Sequence, residues 1–265
     1  MPANVPKSPT SNLPVPARKP SIVIPESIPA KRTTPPKTSL LNNFIVQILI
    51  FRKILLLNDG RDKIMKVAQY SSKILLWLVL VEKGVNQTRA KQLASHFSLV
   101  RKVIRLAHCL EPFNDGLEIV KEKQFDTLQQ KLAPLNVVIG ICNDISDDII
   151  CLSKLGILDK SWAKTMTPYS DRLWYSGIFI DVHSNICDTN ELIKKLANSK
   201  DPESRQKLQQ KIFMQRVSLA KLLADFVFCT IDVFEMGDKV SEGYQHISGF
   251  IAAVLGTYKL YVKHK

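Results

Sequence analysis

The chain has 265 residues, with 37 Lys and Arg against 24 Asp and Glu, a formal charge of +13, and 45% hydrophobic residues. That length allows a sizeable core, the charge favours polyanionic partners (nucleic acid or an anionic membrane), and the hydrophobic content excludes a chain made mostly of membrane spans. With only 10 glycines and long sections free of strong breakers, the expected fold class is all-α.

Residues 1–38 contain ten of the 14 prolines, six Lys or Arg and one acidic residue, Glu26. Proline at this density blocks helices and sheets, and the apolar side chains are too few for a core, so a disordered, basic, Pro-rich tail is expected. Its opening, MPANVPKSPT, lacks the apolar stretch of a signal peptide. Ser8-Pro9 and Thr34-Pro35 leave it open to proline-directed phosphorylation.

A single helical domain is expected over residues 39–265. Residues 40–57 read as an apolar helix interrupted by Gln47, Arg52 and Lys53. Asn58-Asp59-Gly60 breaks it, and Asp59 is placed to cap a helix over residues 60–81 with Asp62 in its first turn. That helix ends in ILLWLVLV, apolar all round but only about 12 Å long, far short of a ~30 Å hydrocarbon core.

Residues 88–110, TRAKQLASHFSLVRKVIRLAHCL, form an amphipathic pattern without an acidic residue. At about 100° per residue, Leu93, Phe97, Val100, Ile104 and Ala107 share one stripe, with Leu99, Val103, Leu106 and Leu110 beside it. Lys91, Ser95, Ser98, Arg101, Lys102 and Arg105 occupy the remaining sector. The pattern by itself suits three settings: a helix facing a core, a helix lying in an anionic membrane surface, or a nucleic-acid contact. The one aromatic, Phe97, lies away from the cations, which speaks against base stacking, and no nucleic-acid-binding motif is present.

Pro112, Asn114 and Gly116 mark a break before a polar helix over residues 117–132. Pro134 opens a helix over residues 135–152, cut by Asn143, Asp144, Asp147 and Asp148. The three aspartates share one face, expected to be solvated or mildly cation-attracting. A loop at 156–167, a helix at 171–196, a charged section at 198–211 and a long helix at 212–236 follow. The last apolar run, 247–260, sits in the best membrane candidate, 245–262, where Gly249 and Gly256 permit close helix packing. No window of about 20 residues is both predominantly apolar and free of charge. A helical hairpin or shallow insertion near the carboxyl end stays open.

Catalysis finds no support. The five histidines lack the HExxH spacing, and there is no GxxxxGK[ST] or GxGxxG loop. The five cysteines form no CxxC pair and read as free thiols. No enzyme, cofactor or metal is expected.

The segment LNDGRDKIMKVAQYSSKIL resembles the opening motif of the peroxin-11 family of peroxisomal membrane proteins, through Gly60, Arg61, Asp62, Lys63, Gln69, Tyr70, Ser72 and Lys73. Three further blocks follow in the family's order: SLVRKVIRL at the family's amphipathic helix, DRLWYSGIFIDV at its aromatic middle segment, and YQHISGFIAAVLGTYKLY at its terminal segment. The resemblance covers residues 40–262. It implies a membrane-associated helical bundle at the peroxisomal membrane that promotes elongation, proliferation and fission by inserting the amphipathic helix into one leaflet. By carry-over, Arg89, Lys91, Arg101, Lys102 and Arg105 should face phosphate headgroups, while Leu93, Phe97, Val100 and Ile104 form the centre of the inserted face. The implied partners are an anionic phospholipid membrane, further copies of the chain and the fission machinery, and not nucleic acid. A metabolite pore lined in part by Asp225, Asp232 and Glu235, or an adaptor recruiting fission factors, are the alternatives. The proline-rich tail has no counterpart in the motif blocks, and Tyr258 and Tyr261 stand where many members have a tryptophan.

Overall fold

The computed structural model describes residues 40–80, 87–121 and 126–265, so the tail over 1–38, the break at Gly84 and the end of the apolar ILLWLVLV run lie outside the described residues. Among the described residues there are eight α-helices and no strand. They are α1 (Leu40–Leu56), α2 (Asn58–Leu75, continued by a π-helical turn over Leu76–Leu80), α3 (Gln87–Ile104) and α4 (Leu110–Lys121). Then come α5 (Leu128–Lys154), α6 (Lys160–Asn198), α7 (Pro202–Val233) and α8 (Glu242–His264).

Local chemistry explains the boundaries that differ from expectation. α5 starts before Pro134 because Thr127 and Gln130 form a reciprocal capping box. Pro134 then sits inside the helix, as Pro168 does in α6, which absorbs most of the expected loop at 156–167. Asp201 accepts from the Ser204 N–H and Pro202 follows it, so the charged section becomes the first turns of α7. Asp59 is not the cap of α2; that position is Leu57, and Asp59 lies in the first turn, paired with Lys63. Pro112 falls in the first turn of α4, where a missing N–H costs nothing, so the expected break moves to the turn after Ile104.

Six helices close a ring in which each packs on the next: α2 on α3, α3 on α5, α5 on α6, α6 on α7, α7 on α8, and α8 back on α2. The strongest apolar seam joins α6 to α7. Tyr175 stacks on Phe226 at 5.3 Å and meets Phe179 and Phe234 edge-on, and Trp174 and Tyr70 both reach Phe228. The α2–α8 seam is close-packed: a Cβ on Gly249 would come within 2.5 Å of the Tyr70 ring. α1 lies outside the ring against α2 and α8, and α4 lies outside it against α5. No helix among the described residues is long and apolar enough to cross a membrane.

Candidate functional site: the α2–α3 seam and its charged interior

The site is built on α2. Gly60 lets α1 and α2 meet at a corner, since a Cβ there would lie 1.9 Å from the Ile54 carbonyl oxygen. Arg61 closes the same corner by donating from Nε to the Leu55 carbonyl at 2.7 Å. Lys63 pairs with Asp59 one turn back. Asp62 and Gln69 are buried on the face that receives α3.

Arg101 of α3 enters that face. Its Nε donates to Asp62 at 2.9 Å and its Nη1 to Gln69 at 2.8 Å. Burial pushes the Asp62 carboxyl up, but the charge and hydrogen bond of Arg101, helped by Arg105 and Lys63, outweigh it and hold the group below its usual value. Lys102 donates to Asp147 of α5 at 2.6 Å, and Arg105 lies 3.8 Å from Asp144 and 3.6 Å from Asp147. His108, just past α3, meets Asp144 at 3.0 Å, and that hydrogen bond raises its pKa above the ordinary value. Asp148 accepts from the Ala107 N–H at 3.0 Å. Ala107 itself has φ of 62°, a left-handed turn costing a non-glycine residue roughly 1–2 kcal/mol. The expected single helix over 88–110 therefore breaks at this turn. The aspartate face of α5, expected to be solvated or mildly cation-attracting, attracts the cations of α3 and is their counter-charge.

The two sectors of α3 are consequently arranged in a way the helical periodicity does not disclose. Arg101, Lys102 and Arg105, with the buried Ala94, turn toward the bundle. Leu93, Val100, Val103 and Leu106 are exposed, Phe97 and Ile104 are half-buried at the sector's edge, and Lys91 is exposed. Only the backbone of Arg89 is described. Headgroup contact by Arg101, Lys102 and Arg105 would require them to leave carboxylates that they hold here. The physical reason for the inward turn is the cost of an unpaired carboxylate: Asp62 and Asp144 are less than a tenth exposed, and burying them without cations would cost several kcal/mol.

Behind this seam the ring encloses a polar cavity of about 660 Å³. On its far side Asp225 of α7 is gripped by Lys66 at 3.1 Å and Lys221 at 2.9 Å. Burial raises its pKa, but the two ammonium groups win and the net shift is downward. The sequence reading missed Lys66 and Lys221; their (i, i+4) geometry with Asp225 for Lys221 was available, whereas the Lys66 contact spans 159 residues. Asp232 accepts from Gln245, and among the described residues no ion pair holds Asp171: burial, then the charges of Asp232 and Asp147, push it up to about 6 against the pull of Lys102. Asp225 and Asp232 thus both line the cavity, while Glu235 stands exposed outside it. No group of His, Cys, Asp and Glu among the described residues has a metal-holding arrangement.

The blocks that meet in this site are the ones that carry family resemblance: Gly60 to Tyr70, the α3 cations, the α6 aromatics and the glycines of α8. A family model, Peroxisomal biogenesis factor 11 (PEX11), matches residues 50–261. The chain belongs to the PEX11 family. It is therefore a peroxisomal biogenesis factor, associated with the peroxisome, from a family of biogenesis factors and not of enzymes. No curated protein and no solved structure gives a match. In this family member the opening motif has a structural meaning: Gly60 and Arg61 close a corner, Asp62 and Gln69 receive Arg101, and Tyr70 seats α8.

Proposed function

We propose that this PEX11-family chain reshapes the peroxisomal membrane, promoting elongation, proliferation and fission by inserting the outward face of α3 into one leaflet. The observation that carries the reading is the exposure of Leu93, Val100 and Val103 along one side of α3, and of Leu106 just past its end, while Arg101, Lys102 and Arg105 turn inward. Exposed apolar side chains grouped on one side of a surface helix mark an interaction site, and a shallow wedge in one leaflet bends it. Lys91, exposed near the start of α3, is the cation this reading assigns to phosphate headgroups. Arg101, Lys102 and Arg105 instead hold the wedge to a rigid bundle. Anionic phospholipid, further copies of the chain and the fission machinery are its partners in this reading.

Each large apolar side chain contributes about 1.5–3 kcal/mol when fully buried, against about 1 kcal/mol or less for a cation near an anionic surface. Val100→Glu with Val103→Glu should therefore abolish tubulation of anionic vesicles by the purified chain, and Lys91→Ala should only weaken it. Electron microscopy of the vesicles reads both. Undiminished tubulation by the double variant would sink the proposal.

A second reading, passage of small metabolites, is favoured by the polar cavity and by Asp225 and Asp232 lining it. Conductance across a planar bilayer that Asp232→Asn alters would support it; a silent bilayer under conditions where vesicles tubulate would exclude it.

A further inference from the structure

Outside the ring, α1 combines an apolar sequence with almost no cover. Eight consecutive residues, 42–49, are exposed, including Phe44 at 62%, Val46 at 51% and Leu49 at 49%. Phe44, Ile45, Val46, Ile48, Leu49 and Leu56 spread over a broad sector of the helix opposite Ile50 and Ile54, while Gln47, on the bundle side, accepts from the Tyr261 hydroxyl at 2.8 Å. Only Ile50 and Ile54, one turn apart, are buried against the bundle. An exposed apolar sector this wide on a folded chain marks an interaction surface.

We propose that α1 is a second membrane-inserting element, acting apart from α3, with its surface taken up by the acyl chains of an anionic bilayer. Acyl chains conform to a sector this broad and leave the Ile50, Ile54 and Gln47 side on the bundle, as in a helix lying in a membrane interface. Charge favours a lipid of negative sign: α1 has no Asp or Glu, carries exposed Arg52 and Lys53, and follows a 38-residue stretch with six Lys or Arg against Glu26. Arg52 and Lys53 have stems long enough to lie along apolar surface while their charges reach the headgroups. At about 1.5 Å per residue the helix is about 25 Å long, which suits lying in the interface better than crossing a ~30 Å core. The family match begins at residue 50, so residues 42–49 of α1 precede it while the rest of the helix lies within it. The inference rests on the membrane reading above only in taking a bilayer as the partner.

The test uses the full chain with phosphatidylcholine vesicles containing phosphatidylserine, and pure phosphatidylcholine for comparison. Flotation is measured for the wild type, for Ile45→Glu with Leu49→Glu in α1, and for Val100→Glu with Val103→Glu in α3. In parallel, the wild type is photolabelled by a phosphatidylcholine carrying a diazirine near the acyl terminus, and labelled peptides are mapped. The expected result is acyl labelling within residues 44–57 and a roughly hundredfold loss of partitioning for the α1 variant. Labelling confined to α3, with the α1 variant floating like the wild type, overturns the α1 proposal and leaves the α3 reading standing. Loss of flotation by the α1 variant alone, with α1 labelled, supports α1 and counts against α3. An α1 variant that floats normally but falls from dimer to monomer in light scattering assigns the surface to a second copy and overturns the proposal. A wild type that floats with neither vesicle overturns both. If the α1 variant loses its helical circular dichroism, the wild-type labelling alone decides.

Discussion

The two sides of α2 are held by opposite kinds of chemistry. Toward α3 it offers Asp62 and Gln69 to a guanidinium, and the seam continues as a chain of ion pairs through Lys102, Arg105 and Asp147. Toward α8 it offers the Tyr70 ring to Gly249, a seam of shape with small residues such as Ala252 and Ala253 fully buried behind it. A shape-matched seam tolerates no added volume; a charge-matched seam tolerates volume but not the loss of a partner. The first kind is rigid once packed, whereas the second has a stability that depends on pH and on competing ions.

Three changes would break or sharpen that contrast. The largest effect is expected from Asp225→Ala, which strands Lys66 and Lys221 beside the cavity, and removing one partner of a buried pair costs about 3–5 kcal/mol. Denaturant unfolding followed by far-ultraviolet circular dichroism would read it, and a change below about 1 kcal/mol would mean that the cavity is wet enough to solvate both ammonium groups. On the α8 side, Gly249→Ala places a Cβ 2.5 Å from the Tyr70 ring, and overpacking of this kind costs about 1–3 kcal/mol. The same unfolding measurement tests it, and unlike the charge variant its cost should be independent of salt.

The smallest effect is a pH profile. Asp171 binds its proton more tightly in the folded chain, at about 6 against an ordinary 3.8, so its contribution to stability grows as pH falls through that window. His108 acts in the same direction: its raised folded pKa gives stability that is complete below 6.5 and is lost as pH rises through the folded value. Asp62 and Asp225 have lowered values, so their stabilisation persists until pH falls below 3.8. The half-buried His246 imidazole, its pKa lowered, pulls the other way, so Asp171→Asn should reduce the gain in thermal midpoint as pH falls through about 6. An unchanged slope in Asp171→Asn would place the titration elsewhere.

Much of this architecture is legible in the residues. The apolar run ending at the Asn58-Asp59-Gly60 break defines α1 to within a residue, because a turn-forming cluster interrupts a strong periodicity. The four motif blocks point to the family, and the family match agrees. Gly249 and Gly256 were readable as close-packing positions, though only the fold shows that Tyr70 fills the first. Less legible were the proline positions. Pro112, Pro134 and Pro168 all look like breaks, yet the first sits in a helix's opening turn and the other two inside helices held by long packing seams.

Sequence periodicity alone determined that α3 has a cationic sector and an apolar sector, and composition alone determined that the chain is helical and basic. Which sector faces inward was decided by tertiary structure. The carboxylates that draw Arg101 and Lys102 inward are 39 and 45 residues away, on α2 and α5, and a single helix has no means of signalling a counter-charge that only folding brings beside it. A lone amphipathic helix in water turns its charges to solvent because hydration is their best partner. Inside this ring Asp62, Asp144 and Asp147 are the stronger claim on those charges, since a carboxylate buried without a cation costs more than a leucine or valine left exposed.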